Sequence, residues 1–358
     1  MDNKYRSEYK EWTVLIYAAG NNNLQELIYN QFESILTTTK MENVNVIVQI
    51  SKDYSQKGIN CTGCKRYVID NDRAILLNDL GKINMAQPEE LKKFIVWGSN
   101  RFPSRHIAVI MSGHSAGFVG LMKDCSESGT SFMGIEGFSK ALYLSRKSIK
   151  RYIDILVMDT CFMDAVEIWH DIIINSRNAV KYVILPQDNA PQKGLLYNEI
   201  INSLNATKAG FISYNVMKKI INSKIKKNNI FCVFLANEYF SKLKEIINLY
   251  SQLLLIKDKK INNDNQEFDF IPLSDLLSKE SLMDSDINKC YTVIKYILDK
   301  IILEPNSKTI EGERRGLKIY FPHNYDVYSK FKDMYNSMKF SYNNRWIQVI
   351  DDKYISNL

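Results

Sequence analysis

Apolar residues along the chain fall into short runs rich in Val, Ile and Tyr that alternate with stretches of helical period, the sequence form of a mostly parallel sheet covered by helices. WTVLIYA at 12–18, VNVIVQI at 44–50, IAVIMS at 107–112, IDILVM at 153–158 and the run from Tyr182 to Leu185 read as strands. Between the first two, Leu24, Leu27, Ile28, Phe32, Ile35 and Leu36 share one face of a helix expected over Asn23 to Lys40. Residues 51–87 read as hairpin material with loops, and Pro88 opens a helix that turns Leu91, Phe94, Ile95 and Gly98 inward. Helices are also expected over Ile135 to Lys147 and over Phe162 to Ile174, the latter with Ala165, Val166, Trp169, Ile172 and Ile173 in its stripe.

Beyond residue 190 the rhythm changes. Leu195 to Lys227 reads as largely helical, IFCVFLA at 230–236 as one more strand, and 238–256 and 272–302 as long helices separated by a polar loop over 257–270. GLKIYFP at 316–322 is a late strand. The expected architecture is α/β, with a central mostly parallel sheet. Residues 1–200 form a core that carries the chemistry, and residues 201–358 form a helix-rich part that completes the sheet and packs on that core.

Composition narrows the function classes. With 358 residues, 45% hydrophobic and 24% charged, the chain is an ordinary globular one, which excludes disorder, collagen and coiled coil. Lys+Arg 47 less Asp+Glu 40 gives a net charge of +7, scattered rather than gathered, so nucleic acid is not an expected partner. Met1 to Trp12 lacks the apolar stretch of a signal peptide, and no run approaches the roughly 18 apolar residues that span a bilayer. The expectation is a cytoplasmic protein without a membrane partner.

Six cysteines are too few for a disulfide scaffold in a chain this long and read as individual thiols. Cys61 and Cys64 form one C-x-x-C with no second pair and no neighbouring His, which reads as a turn carrying two thiols rather than a zinc or redox site. Cys232 belongs to an apolar strand, Cys125 and Cys290 have no evident partner, and His106 and His170 read as structural or exposed. The residues suggest no metal site and require no cofactor.

In a parallel sheet, ligands collect beyond the carboxyl ends of the strands, which directs attention to MSGHSAGFVG at 111–120 and MDTCFM at 158–163. His114 closing one strand and Cys161 closing the next would stand on one rim, about 5 to 10 Å apart for a strand spacing of ~4.8 Å. A thiol is nucleophilic even when mostly protonated, and an adjacent imidazole can take its proton and return it to a leaving amine. Backbone N–H groups at the start of the following segment could hold the developing oxyanion.

Two rivals occupy the same loop. GHSAG at 113–117 matches the G-x-S-x-G nucleophile elbow, which makes Ser115 a serine nucleophile with His323 completing a triad. That elbow should run into a long helix, whereas FVGLM is soon interrupted by KDCSESGTS, and no HGG-type oxyanion segment lies upstream. The spacing G-x-x-x-G-x-x-G also resembles dinucleotide-binding loops, but no acidic residue closes a following strand about 20 residues on.

The segments WTVLIYAAGNNNLQ, GKINMAQPEELKKFIVWGSNRFPSRHIAVIMSGHSAGF, IDILVMDTCFMDAVEIW, LPQDNAPQKGLLYNEII, FDFIPLSDLL and GLKIYFPHN, taken in order, resemble the clostripain family of cysteine peptidases, relatives of caspases and gingipains, over roughly residues 12 to 350. The resemblance implies a caspase-like αβα sandwich with a helical C-terminal extension. It also implies a dyad of Cys161 as nucleophile and His114 as acid and base, and cleavage of peptides or proteins after Arg or Lys. Asp159, two residues before the cysteine, resembles the family's pocket aspartate, with Asp188 beyond the fifth strand as a second candidate. The alternative for Asp159 is to cap a helix starting at Phe162.

Ser115 stands where the family has a glycine whose N–H helps form the oxyanion hole, so the serine is acceptable there only if its φ is not positive. Self-cleavage between histidine and cysteine is a further implication. Lys123 is the candidate, because DCSESGTS after it is expected to be exposed and flexible. Lys140 and the basic cluster at 146–151 also lie in that interval. Some relatives use calcium, and no EF-hand-type loop is visible here. A non-catalytic relative that holds basic peptides in the same pocket is the third reading.

Overall fold

The structure, a computed structural model, describes residues 8–37, 41–52, 63–70, 72–126, 129–191, 193–207, 217, 230–259, 261, 269–276, 284–303 and 316–355. Its centre is a nine-stranded sheet in the order β12-β10-β9-β8-β5-β1-β2-β3-β4. These are β1 (Lys10–Gly20), β2 (Val44–Lys52), β3 (Gly63–Asp70), β4 (Arg73–Gly81), β5 (Ser104–Ser112), β8 (Ile153–Asp159), β9 (Val180–Pro186), β10 (Ile230–Phe234) and β12 (Ile302–Leu303). Parallel pairing joins β2, β1, β5, β8 and β9. Antiparallel strands finish both edges, β3 and β4 on one side and β10 and β12 on the other.

Alternation along β1 divides the core between the two faces of the sheet. Leu15, Tyr17 and Ala19 join Leu91, Phe94 and Ile95 of α2 (Pro88–Arg101), Phe138 and Leu142 of α3 (Ile135–Ile149) and Trp169 and Ile172 of α4 (Val166–Ser176). Val14, Ile16 and Ala18 join Ile28, Phe32 and Ile35 of α1 (Gln25–Ile35) and Tyr197, Ile200 and Leu204 of α5 (Tyr197–Asn205). Because both faces are covered, the central strands are apolar throughout, which is why they read as unbroken runs. Gly98 lets α2 lie close on β1, since a Cβ there would come within 2.5 Å of Leu15 Cδ2. The result is the helix-covered, mostly parallel sheet that the alternating pattern predicts, in the αβα arrangement that the family resemblance implies. On the α4 side, α6 (Asn237–Ile256), α7 (Ser285–Ile301), α8 (Tyr325–Ser337) and α9 (Trp346–Ile355) extend the helical layer.

Several boundaries differ from the pattern. The helix expected from Phe162 begins only at Val166, so residues 160–165 form a loop. The segment 272–302 is not one helix: Phe270–Pro272 is a strand, β11, Leu273–Asp275 is a single 3-10 turn, and the helix starts at Ser285 with the Asp284 carboxylate accepting the N–H groups of Asp286 and Ile287. The late strand, β13 (Lys318–Tyr320), pairs with β11 in a separate small sheet rather than joining the main one. Of the helical expectation over 195–227, Tyr197–Asn205 is observed, and 208–216 and 218–229 lie outside the described residues.

Of the stretch after Lys123, expected to be exposed and flexible, Cys125, Gly129 and Thr130 are exposed, while its described residues pair as β6 (Leu121–Ser126) and β7 (Gly129–Met133). Its signal is weak because the strands are short and polar and the pairing shifts register between Leu121 and Asp124. Cys64, expected in a turn, is buried in β3 with its sulfur 3.6 Å from that of Met85, and Cys61 lies outside the described residues. Among the described residues no helix is long and apolar enough to cross a membrane.

Candidate active site

β5 and β8 pair in parallel with Ser112 opposite Asp159. Two residues further along each chain, His114 and Cys161 therefore leave neighbouring strand ends on the same rim of the sheet. The Gly113 N–H donates to the Asp159 carbonyl at 3.4 Å, and the Ser115 hydroxyl donates to the Cys161 carbonyl, so the two loops are fastened together beyond the sheet. Ser115 is not among the residues with positive φ. After it the chain makes one 3-10 turn, Gly117–Val119, in place of the long helix a serine elbow requires, and His323 pairs with Asp269 at 2.7 Å.

His114 is positioned by a residue that sequence reasoning missed. Its Nε2 lies 2.9 Å from Asn23 Oδ1, which accepts the Nε2 proton and leaves the Nδ1 lone pair available. Asn23 belongs to the GNNN turn after β1, and because β1 lies beside β5 in the sheet, that turn falls on the same rim. Its neighbours hold the hairpin: Asn22 Nδ2 donates to the Lys123 carbonyl at 2.8 Å and Asn21 Nδ2 to Asp124 Oδ1 at 2.9 Å. Three asparagines in succession after a strand were the available signal. Burial, and then the Lys123 ammonium, hold the imidazole below its ordinary value, so it is neutral at pH 7.

Cys161 is half-buried, and burial pushes its thiol above the ordinary range. The Ala190 N–H directed at the sulfur opposes this, and the Asp159 carboxylate adds to it. Both shifts favour the uncharged forms of the two groups. The loop carrying Cys161 is strained and held: Phe162 has φ 54°, and its N–H donates to the carbonyl of Asp188, itself at φ 57°, at 2.6 Å. Asp164 completes the tie, its Oδ2 accepting from the Asp188 N–H at 3.1 Å and Gln187 Nε2 at 2.9 Å.

The two acidic candidates occupy different surroundings. Asp159 is buried, with Oδ1 accepting the Leu195 N–H at 3.1 Å and Oδ2 the Tyr197 hydroxyl at 2.5 Å, and burial pushes its carboxyl up to about 6. It does not cap the following helix, whose N-cap position is Ala165. Asp188 is 27% exposed and forms an ion pair with Lys318 of β13, whose Nζ also lies 3.8 Å from Asp164. Lys318 was not legible as a site residue, since 130 residues separate it from Asp188.

Lys123 lies within β6, its N–H donating to the His114 carbonyl at 3.4 Å and its carbonyl accepting from Asn22. Cys232 and Cys290 are buried and Cys125 is exposed. His106 sits between Glu11 and Asp154 against the Trp12 ring, and His170 is buried beside Asp171. Among the described residues no group of three or more His, Cys, Asp or Glu is arranged to hold a metal ion.

The sequence matches the Clostripain family, Peptidase C11, over residues 16–353. Clostripain of Hathewaya histolytica is 26% identical over 184 residues, which are 44% of this chain and 35% of that protein, so the match spans about a third of the relative's length. Two solved structures share the fold. One is a secreted C11 cysteine protease from Bacteroides thetaiotaomicron in complex with an irreversible peptide inhibitor, at TM-score 0.66 and 16% identity, covering 94% of this chain and 100% of that one. The other is an inactive zymogen C11 protease from Parabacteroides distasonis, at TM-score 0.67 and 16% identity, covering 94% and 99%.

Proposed function

Since the chain belongs to the clostripain family, we propose that it is a cysteine endopeptidase in which Cys161 attacks the peptide carbonyl and His114 moves the protons. The observation that carries this reading is the register that sets Ser112 against Asp159, and with it the imidazole and the thiol on adjoining strand ends. From the thiol and neutral imidazole, Nδ1 of His114 takes the sulfur's proton as the C–S bond forms and the carbonyl oxygen becomes an oxyanion. Among the described residues no acceptor pairs with the backbone N–H of Ser115 or of Cys161, and these two donors are the ones offered to that oxygen. Collapse breaks the C–N bond while His114 returns the proton to the leaving amine. Water then hydrolyses the thioester with His114 as base.

The residue before the cut is Arg or Lys in this reading, recognised by Asp159, with Asp188 as the second candidate. A guanidinium offers a carboxylate two parallel, charge-assisted hydrogen bonds, and its charge would draw the Asp159 carboxyl back down from about 6. A fluorogenic peptide ending in Arg is expected to be hydrolysed under reducing conditions. The citrulline analogue, of the same shape without the charge, is expected to show a kcat/KM at least about thirtyfold lower. Equal rates would remove the acidic pocket from the account.

Self-cleavage after Lys123 is the second part of the proposal. The contacts of Lys123 with His114 and Asn22 must open first, because a peptidase binds its scissile segment extended and unpaired. Intact mass should show wild-type protein split after residue 123 and Cys161→Ala protein whole. Uncut wild type that still hydrolyses peptides would eliminate this step.

A further inference from the structure

A cavity of about 380 Å³ is lined from the two loops that carry the proposed dyad. It begins at Ala116 and Gly117, which follow Ser115, and at Phe162, which follows Cys161. Its walls are aromatic and already assembled: the Phe118 ring centroid lies 5.0 Å from that of Tyr320, 6.1 Å from Phe331 and 6.4 Å from Phe270. Asp269 and His323 close the outer edge and satisfy each other at 2.7 Å, so the interior presents carbon rather than charge.

The position of this cavity relative to the acids gives it a role. Phe118 and Tyr320 belong to the core layer shared with α4, whereas Leu195 and Tyr197, which hold the Asp159 carboxylate, belong to the layer on the other face of the sheet. A peptide bound in extended form sends successive side chains to opposite sides. If a basic side chain points toward Asp159, the side chains immediately before and after it point to the other side, where the aromatic walls stand. We propose that this cavity is a second substrate subsite, which takes a large apolar or aromatic side chain from a residue adjoining the basic one. The inference rests on the proteolytic reading for the direction of the peptide, and on the cavity alone for the chemistry it selects. Val327, half-buried at the start of α8, lines it from the C-terminal part of the chain, which thereby contributes to substrate choice.

The test uses internally quenched peptides with one Arg, in which the residue on either side is varied among Phe, Leu, Gly and Glu. Phe or Leu at one of the two positions is expected to raise kcat/KM at least about tenfold over Gly, with Glu lowest. Val327→Glu is expected to bring the Phe-to-Gly ratio close to one, with the thermal midpoint reporting that the variant is folded. The same peptides are titrated by fluorescence anisotropy into Cys161→Ala protein. A Phe preference in binding without turnover by wild type sinks the peptidase and keeps the subsite. Turnover with a Phe-to-Gly ratio of one sinks the subsite and keeps the peptidase. Failure of every peptide both to bind and to be cleaved overturns both.

Discussion

Cys161→Ala is expected to abolish hydrolysis of an Arg-ended fluorogenic peptide, a loss of at least about 10⁴-fold, whereas Ser115→Ala is expected to retain activity to within about tenfold. The asymmetry follows from what each side chain does. The Cys161 sulfur must form the bond to carbon, and nothing beside it can substitute. The Ser115 hydroxyl is turned onto the Cys161 carbonyl, so its removal loosens a tie between loops and leaves the backbone N–H in place. The opposite outcome would make the hydroxyl the nucleophile, and tight binding of basic peptides by a wild type that never turns them over would make the protein a holder of peptides.

The same assay has a pH signature. Because burial and Lys123 lower the imidazole's affinity for a proton, kcat/KM should stay level on acidification through the ordinary histidine range and fall only below it. An acid limb at or above the usual value near 6.5 would contradict the geometry around His114.

Glu167→Gln is expected to stabilise the fold, and far more at pH 8 than at pH 5. Glu167 lies in the first turn of α4 and is buried. Its Oε1 accepts the Tyr320 N–H at 2.7 Å and the Tyr335 hydroxyl at 3.0 Å, while Oε2 is buried with no partner among the described residues. Burial pushes the carboxyl from 4.5 up to about 7.

The sign follows from proton counts. Between pH 4.5 and about 7 the folded protein holds a proton here that the unfolded chain has lost, so the wild type loses stability as pH rises through that window. The loss is complete above the folded value and amounts to on the order of 3 kcal/mol. Glutamine keeps an oxygen for the two donors and has no proton to lose, so it removes the slope. Urea unfolding of both proteins at pH 5 and pH 8 measures it, and a stability difference that does not grow with pH would refute the assignment. Asp159 and Asp164, each raised to about 6, act in the same direction in both proteins and cancel in the comparison.

How far the sequence discloses this molecule depends on whether a feature is local. The strands of the parallel centre are legible because burial on both faces demands continuous Val and Ile, and their ends carry the histidine and the cysteine within two residues of the last paired position. The loop over 160–165 is not, because Ala165, Val166 and Trp169 continue an apolar period that says helix while the contacts of Phe162 and Asp164 with residues 187–188 forbid one. Asn23 acts on His114 across 91 residues and only through the adjacency of β1 and β5, which spacing along the chain does not express. The polar hairpin and the ion pair of Lys318 with Asp188 are hidden for the same reason: their partners are chosen by topology.

Lys318 also completes the rim. Its ammonium is the cation at Asp188 and near Asp164, its N–H donates to the Asp164 carbonyl at 2.8 Å, and two residues later the Tyr320 N–H reaches Glu167. One short strand thus supplies a cation and two backbone donors to three carboxyl-bearing residues, Asp188, Asp164 and Glu167, so disturbing β13 would unfasten the loop that carries Cys161 and the first turn of α4 together.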